Sequence, residues 1–185
     1  MKQNGISKEI DDKAIFLDRD GVINHSKIID GKPHPPLSLD DFKMIDGVEK
    51  ALNLFHSAGY YLIVVTNQPD VARGVVSQDK IELIHNFLKS GFPIDEVKAC
   101  YHDDSDHCEC RKPNPGNILK AAEKYNIDLK NSYMIGDRWR DIEAGISAGC
   151  KTIFIDYHYN EKQPLTFDYK ASDLLEAAKF ILGNI

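Results

Sequence analysis

Four short apolar runs, residues 14–17, 60–65, 132–135 and 151–155, recur along this chain, with a more mixed fifth at 96–100. Such runs are too short for helices, and they read as strands buried on both faces. Between them the spacing changes to that of a helix. Val48, Ala51, Leu52 and Phe55 line one helical face, with Gly59 as a stop. Ile81, Ile84 and Leu88 line another, between a Ser77 cap and Gly91. Further helices are expected over 115–125 and 140–148, and a last one from about Ser172, where Asp173 and Glu176 stand like a capping pair. Five strands alternating with helices imply an α/β fold, a Rossmann-like three-layer α/β/α arrangement with a mainly parallel sheet.

The length, 185 residues, suits one domain, with a core expected at about 13–156. Two stretches, 24–41 with its three prolines and 156–170, read as irregular. The first is too short for an inserted cap domain and is expected at the rim of a site. A net charge of −6 argues against nucleic acid bound through bulk charge. No apolar run approaches the roughly 18 residues of a membrane span, and the polar N-terminus shows no secretory signal. Four clustered cysteines do not make a disulfide scaffold, so a reducing, cytoplasmic location is expected.

In an open parallel sheet, ligands bind beyond the carboxyl ends of the strands. There the sequence places Asp18-Arg-Asp20-Gly, then Thr66-Asn67-Gln68, then Arg111-Lys112, then Gly136-Asp137-Arg-Trp-Arg-Asp141. Carboxylates, a lysine and a hydroxyl on one sheet edge are parts for phosphoryl transfer. Asp18 could attack phosphorus, and Asp20 could protonate the leaving oxygen and then deprotonate water. Asp18, Asp137 and the backbone carbonyl of Asp20 suit Mg²⁺. Lys112 and Thr66 would hold the oxygens of the transferring group. Asp141 could support these groups or face solvent. Read alone, Asp-x-Asp-Gly could also be a turn or a calcium loop, but its glycine stands too early for an EF-hand, and no late glutamate follows. All five arginines, Arg19, Arg73, Arg111, Arg138 and Arg140, fall in these loops, which suits an anion site.

Cys100, His102, Cys108 and Cys110 place three thiols and an imidazole within residues 100–110. The set suits a closed, structural Zn²⁺ site, with His107 as a competing ligand and reduced thiols on an acidic loop as the alternative. The cluster runs straight into Arg111-Lys112, so zinc there would hold the catalytic lysine in place. Cys150 reads as a core residue.

The four segments together resemble the motifs of the haloacid dehalogenase-like phosphatases, over roughly residues 13–156. The resemblance implies Asp18 as nucleophile, Asp20 as acid/base, Thr66 and Lys112 as phosphate ligands and Asp137 as metal ligand. Cys-x-His…Cys-x-Cys-Arg-Lys-Pro, with Thr66-Asn-Gln-Pro-Asp-Val-Ala-Arg73-Gly74, is similar to one branch of that family. It holds the D-glycero-D-manno-heptose-1,7-bisphosphate 7-phosphatases and the histidinol-phosphate phosphatases. This likeness implies zinc at the cysteine cluster, and substrate contacts at Asn67, Gln68, Arg73, Arg111 and Arg138. Two features depart from the heptose pattern: the zinc loop is short, and residues 24–36 lack the Asp-x-Gly-Tyr segment. Arg73 and Arg111 favour a bisphosphate, whereas Asp103, Asp104 and Asp106 would suit a cation such as histidinol phosphate if they face the site. The expected protein is a monomeric, Mg²⁺-dependent, zinc-stapled phosphatase of a small sugar phosphate, without nucleic-acid or membrane partners. A non-catalytic zinc-stabilised binding module is the alternative of another class.

Overall fold

A computed structural model describes residues 12–183, so the polar N-terminal segment read above lies outside the described residues. Six parallel strands form the main sheet: β1 (Lys13–Leu17), β4 (Tyr60–Asn67), β5 (Glu96–Cys100), β6 (Tyr133–Gly136), β7 (Lys151–Ile155) and β8 (Tyr169–Ala171). Their spatial order is β5-β4-β1-β6-β7-β8. The chain thus builds outward from β1 first on one side and then on the other. The reversal leaves a crevice at the carboxyl end of β1, where α/β sheets bind ligands.

The helices α1 (Val48–Ser57), α2 (Gln78–Gly91), α3 (Gly116–Tyr125), α4 (Trp139–Ala148) and α5 (Leu174–Leu182) cover both faces. Period-two alternation in β1 divides the core. Ile15 and Leu17 pack with Leu52, Phe55, Leu88 and Leu174 on one face, while Ala14 and Phe16 pack with Ile118, Ala121 and Ala144 on the other. All four β1 residues are buried, which is why the strand reads as an unbroken apolar run. Cys150 belongs to the second cluster, the core position expected of it. Among the described residues, no helix is long and apolar enough to cross a membrane.

Two expectations need correction. The sheet has a sixth strand: β8 is three residues long, lies at the edge and has its central residue, Lys170, exposed, so it shows no apolar run. It is docked by Asp168, whose carboxylate accepts from Thr152 N at 2.7 Å and Thr152 Oγ1 at 3.0 Å. The stretch 24–41 is not wholly irregular either. It holds an antiparallel hairpin, β2 (Lys27–Ile29) and β3 (Lys32–His34), joined by Asp30-Gly31 with φ of +51° and +73°. Positive φ at both turn residues is the type I′ geometry that Asp-Gly favours. This hairpin is the largest regular structure between β1 and α1.

Candidate active site

The central strands bring the expected carboxylates together. Asp18 follows β1 and Asp137 follows β6, the neighbour of β1 in the sheet. Asp141 lies in the first turn of α4 and is buried, not solvent-facing. It accepts from Arg138 N at 2.9 Å, which caps the helix and aims the carboxylate back at β6. One carboxylate oxygen from each of Asp18, Asp137 and Asp141 lies within 4.8 Å of the others.

This packing needs glycine at two positions. A Cβ at Gly136 would stand 2.1 Å from Asp141 Cβ, and one at Gly21, with φ of +90°, would stand 1.9 Å from Asp137 Oδ2. A Gly136→Ala substitution should push α4 and Asp141 off the strand end. Expected are a loss of about 1–3 kcal/mol in stability and about tenfold in kcat/KM, read by thermal melts and phosphate release.

Lys112, itself buried, crosses beneath the cluster. Its Nζ lies 2.8 Å from Asp18 Oδ1 and 2.7 Å from Asp141 Oδ1, and donates to Val65 O at 2.5 Å. Burial works against the ammonium, but Asp141 and Asp18 outweigh it and hold the lysine charged. Asn67 fixes its backbone: Asn67 Nδ2 donates to Lys112 O at 3.0 Å, and Lys112 N donates to Asn67 Oδ1 at 3.1 Å.

The electrostatics suit a bound cation. Burial, then the Asp141 charge, push the Asp18 carboxyl up to about 7, even with Lys112 pulling the other way. Burial and the Asp18 and Asp141 charges also raise Asp137. Both Asp137 oxygens are buried without a hydrogen-bond partner. Buried carboxylates persist when paired or bound to metal, and an all-oxygen donor set suits a hard divalent cation. The residues present therefore fit Mg²⁺. Asp20, expected to contribute its backbone carbonyl, has its side chain outside this trio.

The Asp20 carboxylate is instead held from three sides. Arg19 donates from Nε at 3.0 Å and Nη2 at 2.9 Å to Oδ1, Asn24 Nδ2 donates at 3.0 Å to the same oxygen, and Gln68 Nε2 donates at 2.7 Å to Oδ2. Gln68 also donates to Thr66 Oγ1 at 2.8 Å, leaving the threonine proton free for an incoming oxygen. Gln68 thus uses its amide to hold Asp20 and Thr66, while Asn67 grips the Lys112 backbone and also lines the cavity beside Asp20.

Beside Asp20 opens a cavity of about 260 Å³. Four of the five arginines line it, Arg73, Arg111, Arg138 and Arg140, with Lys32 and His34 from the hairpin. The fifth, Arg19, is fully buried below and does not face it. The acids of the zinc loop are already paired. Asp103 accepts from Arg73 at 2.6 and 2.8 Å, and Asp104 accepts from Arg111 at 2.8 Å and Arg140 at 3.0 Å. Asp106 turns inward to accept from Asp103 N at 2.8 Å, capping a short 3-10 turn. From the far side Glu161 pairs with Arg138 Nε at 2.8 Å. Arg138, Arg140, Glu161 and buried Tyr159 reach the site from segments distant in sequence, so local spacing gives no signal for the last two.

Next to this cavity, Cys100, His102, Cys108 and Cys110 converge. Sulfur–sulfur separations are 3.2, 3.4 and 3.6 Å, and His102 Nδ1 lies 3.4 Å from Cys110 Sγ and 3.6 Å from Cys100 Sγ. These are near the edges of a tetrahedron with metal–sulfur bonds of about 2.3 Å, and far from a disulfide bond. None of the four cysteines takes part in a disulfide bond. His107 stands outside the cluster, so His102 is the imidazole that fits Zn²⁺.

Comparison with known proteins agrees with this geometry. A family model described as HAD-hydrolase-like matches residues 109–177. A D-glycero-beta-D-manno-heptose-1,7-bisphosphate 7-phosphatase of Pasteurella multocida is 35% identical over 184 residues, covering 94% of this chain and 92% of that protein. The corresponding alpha-heptose enzyme of Campylobacter jejuni is 36% identical, covering 77% of this chain and 81% of its own. The D,D-heptose 1,7-bisphosphate phosphatase of B. bronchiseptica, solved with magnesium and phosphate, superposes with a TM-score of 0.79 at 28% identity, covering 94% of this chain and 99% of that one. On its motifs, its fold and these relatives, the chain belongs to the haloacid dehalogenase-like phosphatases, in their heptose-bisphosphate phosphatase branch.

Proposed function

We propose that this protein is a Mg²⁺-dependent phosphatase that removes the 7-phosphate of D-glycero-D-manno-heptose 1,7-bisphosphate. The observation that carries the substrate is the cavity of four arginines beside Asp20, suited to a second phosphate on the same molecule. Histidinol phosphate fits it less well, because Lys32 and the four arginines outnumber the acids of the lining, Asp20, Asp70 and Asp104, and this excess suits an anion rather than a cation. The names of the relatives support the same choice. A binding module would have no use for three buried, mutually repelling carboxylates.

Asp18 attacks phosphorus, and the bond to the sugar oxygen breaks as the aspartyl-phosphate forms. Asp20, entering the cycle protonated, gives that proton to the leaving oxygen, then recovers one from the water that hydrolyses the intermediate and releases inorganic phosphate. Thr66 donates its free hydroxyl proton to a phosphoryl oxygen. All three Lys112 donors are engaged. The lysine therefore acts through its charge, and its Asp18 contact is released as that carboxylate becomes an acyl phosphate. Asp18 and Asp137, with the Asp20 carbonyl and Asp141 beside them, would hold Mg²⁺, whose positive charge would favour the ionised nucleophile and neutralise phosphoryl oxygens. Cys100, His102, Cys108 and Cys110 would hold Zn²⁺. Every group named comes from one chain, so a monomer suffices, and four reduced thiols suit the cytoplasm.

The test is phosphate release with Mg²⁺ from heptose 1,7-bisphosphate and from histidinol phosphate, side by side. A kcat/KM at least about tenfold higher for the bisphosphate is expected, since each 1.4 kcal/mol of extra anion recognition is a factor of ten. The reverse order would overturn the substrate assignment.

A further inference from the structure

His85 of α2 is a buried polar residue with no part in the chemistry above, yet it touches the acid/base machinery through one intermediary. Arg19 is fully buried, and its guanidinium forks onto Asp20 with contacts of 2.9 and 3.0 Å from Nη2. The remaining terminal nitrogen, Nη1, lies 3.2 Å from His85 Nε2. A guanidinium only donates, so Nε2 must accept, and the ring proton sits on Nδ1. That nitrogen faces Tyr101 Oη at 3.4 Å and Glu82 Oε2 at 3.6 Å, and the Tyr101 hydroxyl itself donates to Glu82. Burial, reinforced by the Arg19 charge, keeps the imidazole neutral by lowering it to about 4. The ring is thus locked in the one tautomer that presents a lone pair to Arg19.

We propose that His85 is a positioning residue for proton transfer: it fixes the rotamer of Arg19, which fixes the carboxylate of Asp20 toward the leaving oxygen. The inference rests on the reading of Asp20 as general acid. An arginine fork that loses its Nη1 partner can shift about its long side chain, which weakens its Nε and Nη2 contacts to Asp20 and leaves Asn24 and Gln68 to hold that carboxylate alone. General acid catalysis depends on that placement, and a misplacement of about 1 Å can reduce it about 10²-fold.

A general acid matters most when the leaving group is an alkoxide and least when it leaves readily as an anion. The experiment therefore compares kcat/KM for an alkyl ester, heptose 1,7-bisphosphate, with that for p-nitrophenyl phosphate in the same preparation. Glycerol 3-phosphate replaces the alkyl ester should the parent leave the heptose untouched. His85→Leu should lose at least about tenfold more activity on the alkyl ester than on the aryl ester. His85→Gln, whose amide oxygen can accept from Arg19, should recover most of the difference. Should the Leu variant fail to fold, His85→Asn, too short to reach Arg19, should show the same selective loss. Equal losses on both esters, or none, would overturn the proposal. Asp20→Asn separates the two readings. If it shows no selective loss, the acid assignment itself is wrong. If it does and the His85 variants do not, only the positioning role fails.

Discussion

An Asp18→Asn protein should hydrolyse phosphate esters at least about 10⁴-fold more slowly than its parent, while keeping its fold and its zinc. The uncharged amide is too weak a nucleophile to displace the sugar oxygen from phosphorus, and no neighbour can replace it. Asp137 has to remain on the metal side, and Asp141 is held by Arg138 N and Lys112. The same substitution carries a second, opposite signature. Burial and Asp141 push the Asp18 carboxyl up to about 7, above the ordinary value near 4. The fold therefore favours the protonated form, and ionisation of Asp18 destabilises it progressively as pH rises from about 4 through 7. Without Mg²⁺, the Asn protein should melt higher than the parent at pH 8, and the difference should vanish by about pH 4. With Mg²⁺ the order should reverse, because the parent gains binding energy that the variant lacks. Retained activity would overturn the nucleophile assignment. A parent that melts higher at pH 8 without metal would overturn the picture of strained carboxylates.

This tension explains which features the sequence displays and which it hides. Strands buried on both faces must be apolar, so β1, β4, β6 and β7 stand out as runs. The acids at their ends stand out because charged residues next to such runs need a reason. Short edge elements have neither constraint. β8 is three residues long with its central lysine exposed, and all of β2 is exposed, so burial leaves no pattern in either. The hairpin did carry a local signal, Asp30-Gly31, whose turn chemistry outweighs the prolines nearby. Asp141 illustrates a different limit. Its spacing from Asp137 follows from the motif, but its burial depends on Lys112 crossing under the sheet end, a contact between segments 29 residues apart, from position 112 to position 141. The arginine pattern was informative but mixed two functions. Four arginines line the cavity, whereas Arg19 looks inward to Asp20 and His85, a distinction visible only once α2 brings His85 against Arg19.

Removing the zinc ligands should separate the loop from the chemistry it supports. The segment from Cys100 to Lys112 contains only a three-residue 3-10 turn and has few apolar side chains to pack. Its order rests on the four converging ligands and on ion pairs at the surface. Such pairs contribute little alone, typically about 0–1 kcal/mol each, whereas a structural zinc contributes about 10–16 kcal/mol of apparent binding energy. A Cys108→Ser protein, or the parent stripped by a chelator and then returned to Mg²⁺, should hold almost no zinc. Its loop should become the first site of proteolysis. Cys110 is joined directly to Arg111 and Lys112, and Asp103 and Asp104 hold Arg73, Arg111 and Arg140. Loss of the metal therefore loosens both the lysine beside Asp18 and the arginines of the cavity. Displacements near 1 Å in such groups reduce catalysis by about 10²-fold, so kcat/KM should fall by that order with Mg²⁺ present, and restoring zinc to the stripped parent should restore it. Unchanged activity in verified zinc-free protein would mean that Asn67, which grips the Lys112 backbone from β4, positions the lysine without help from the metal.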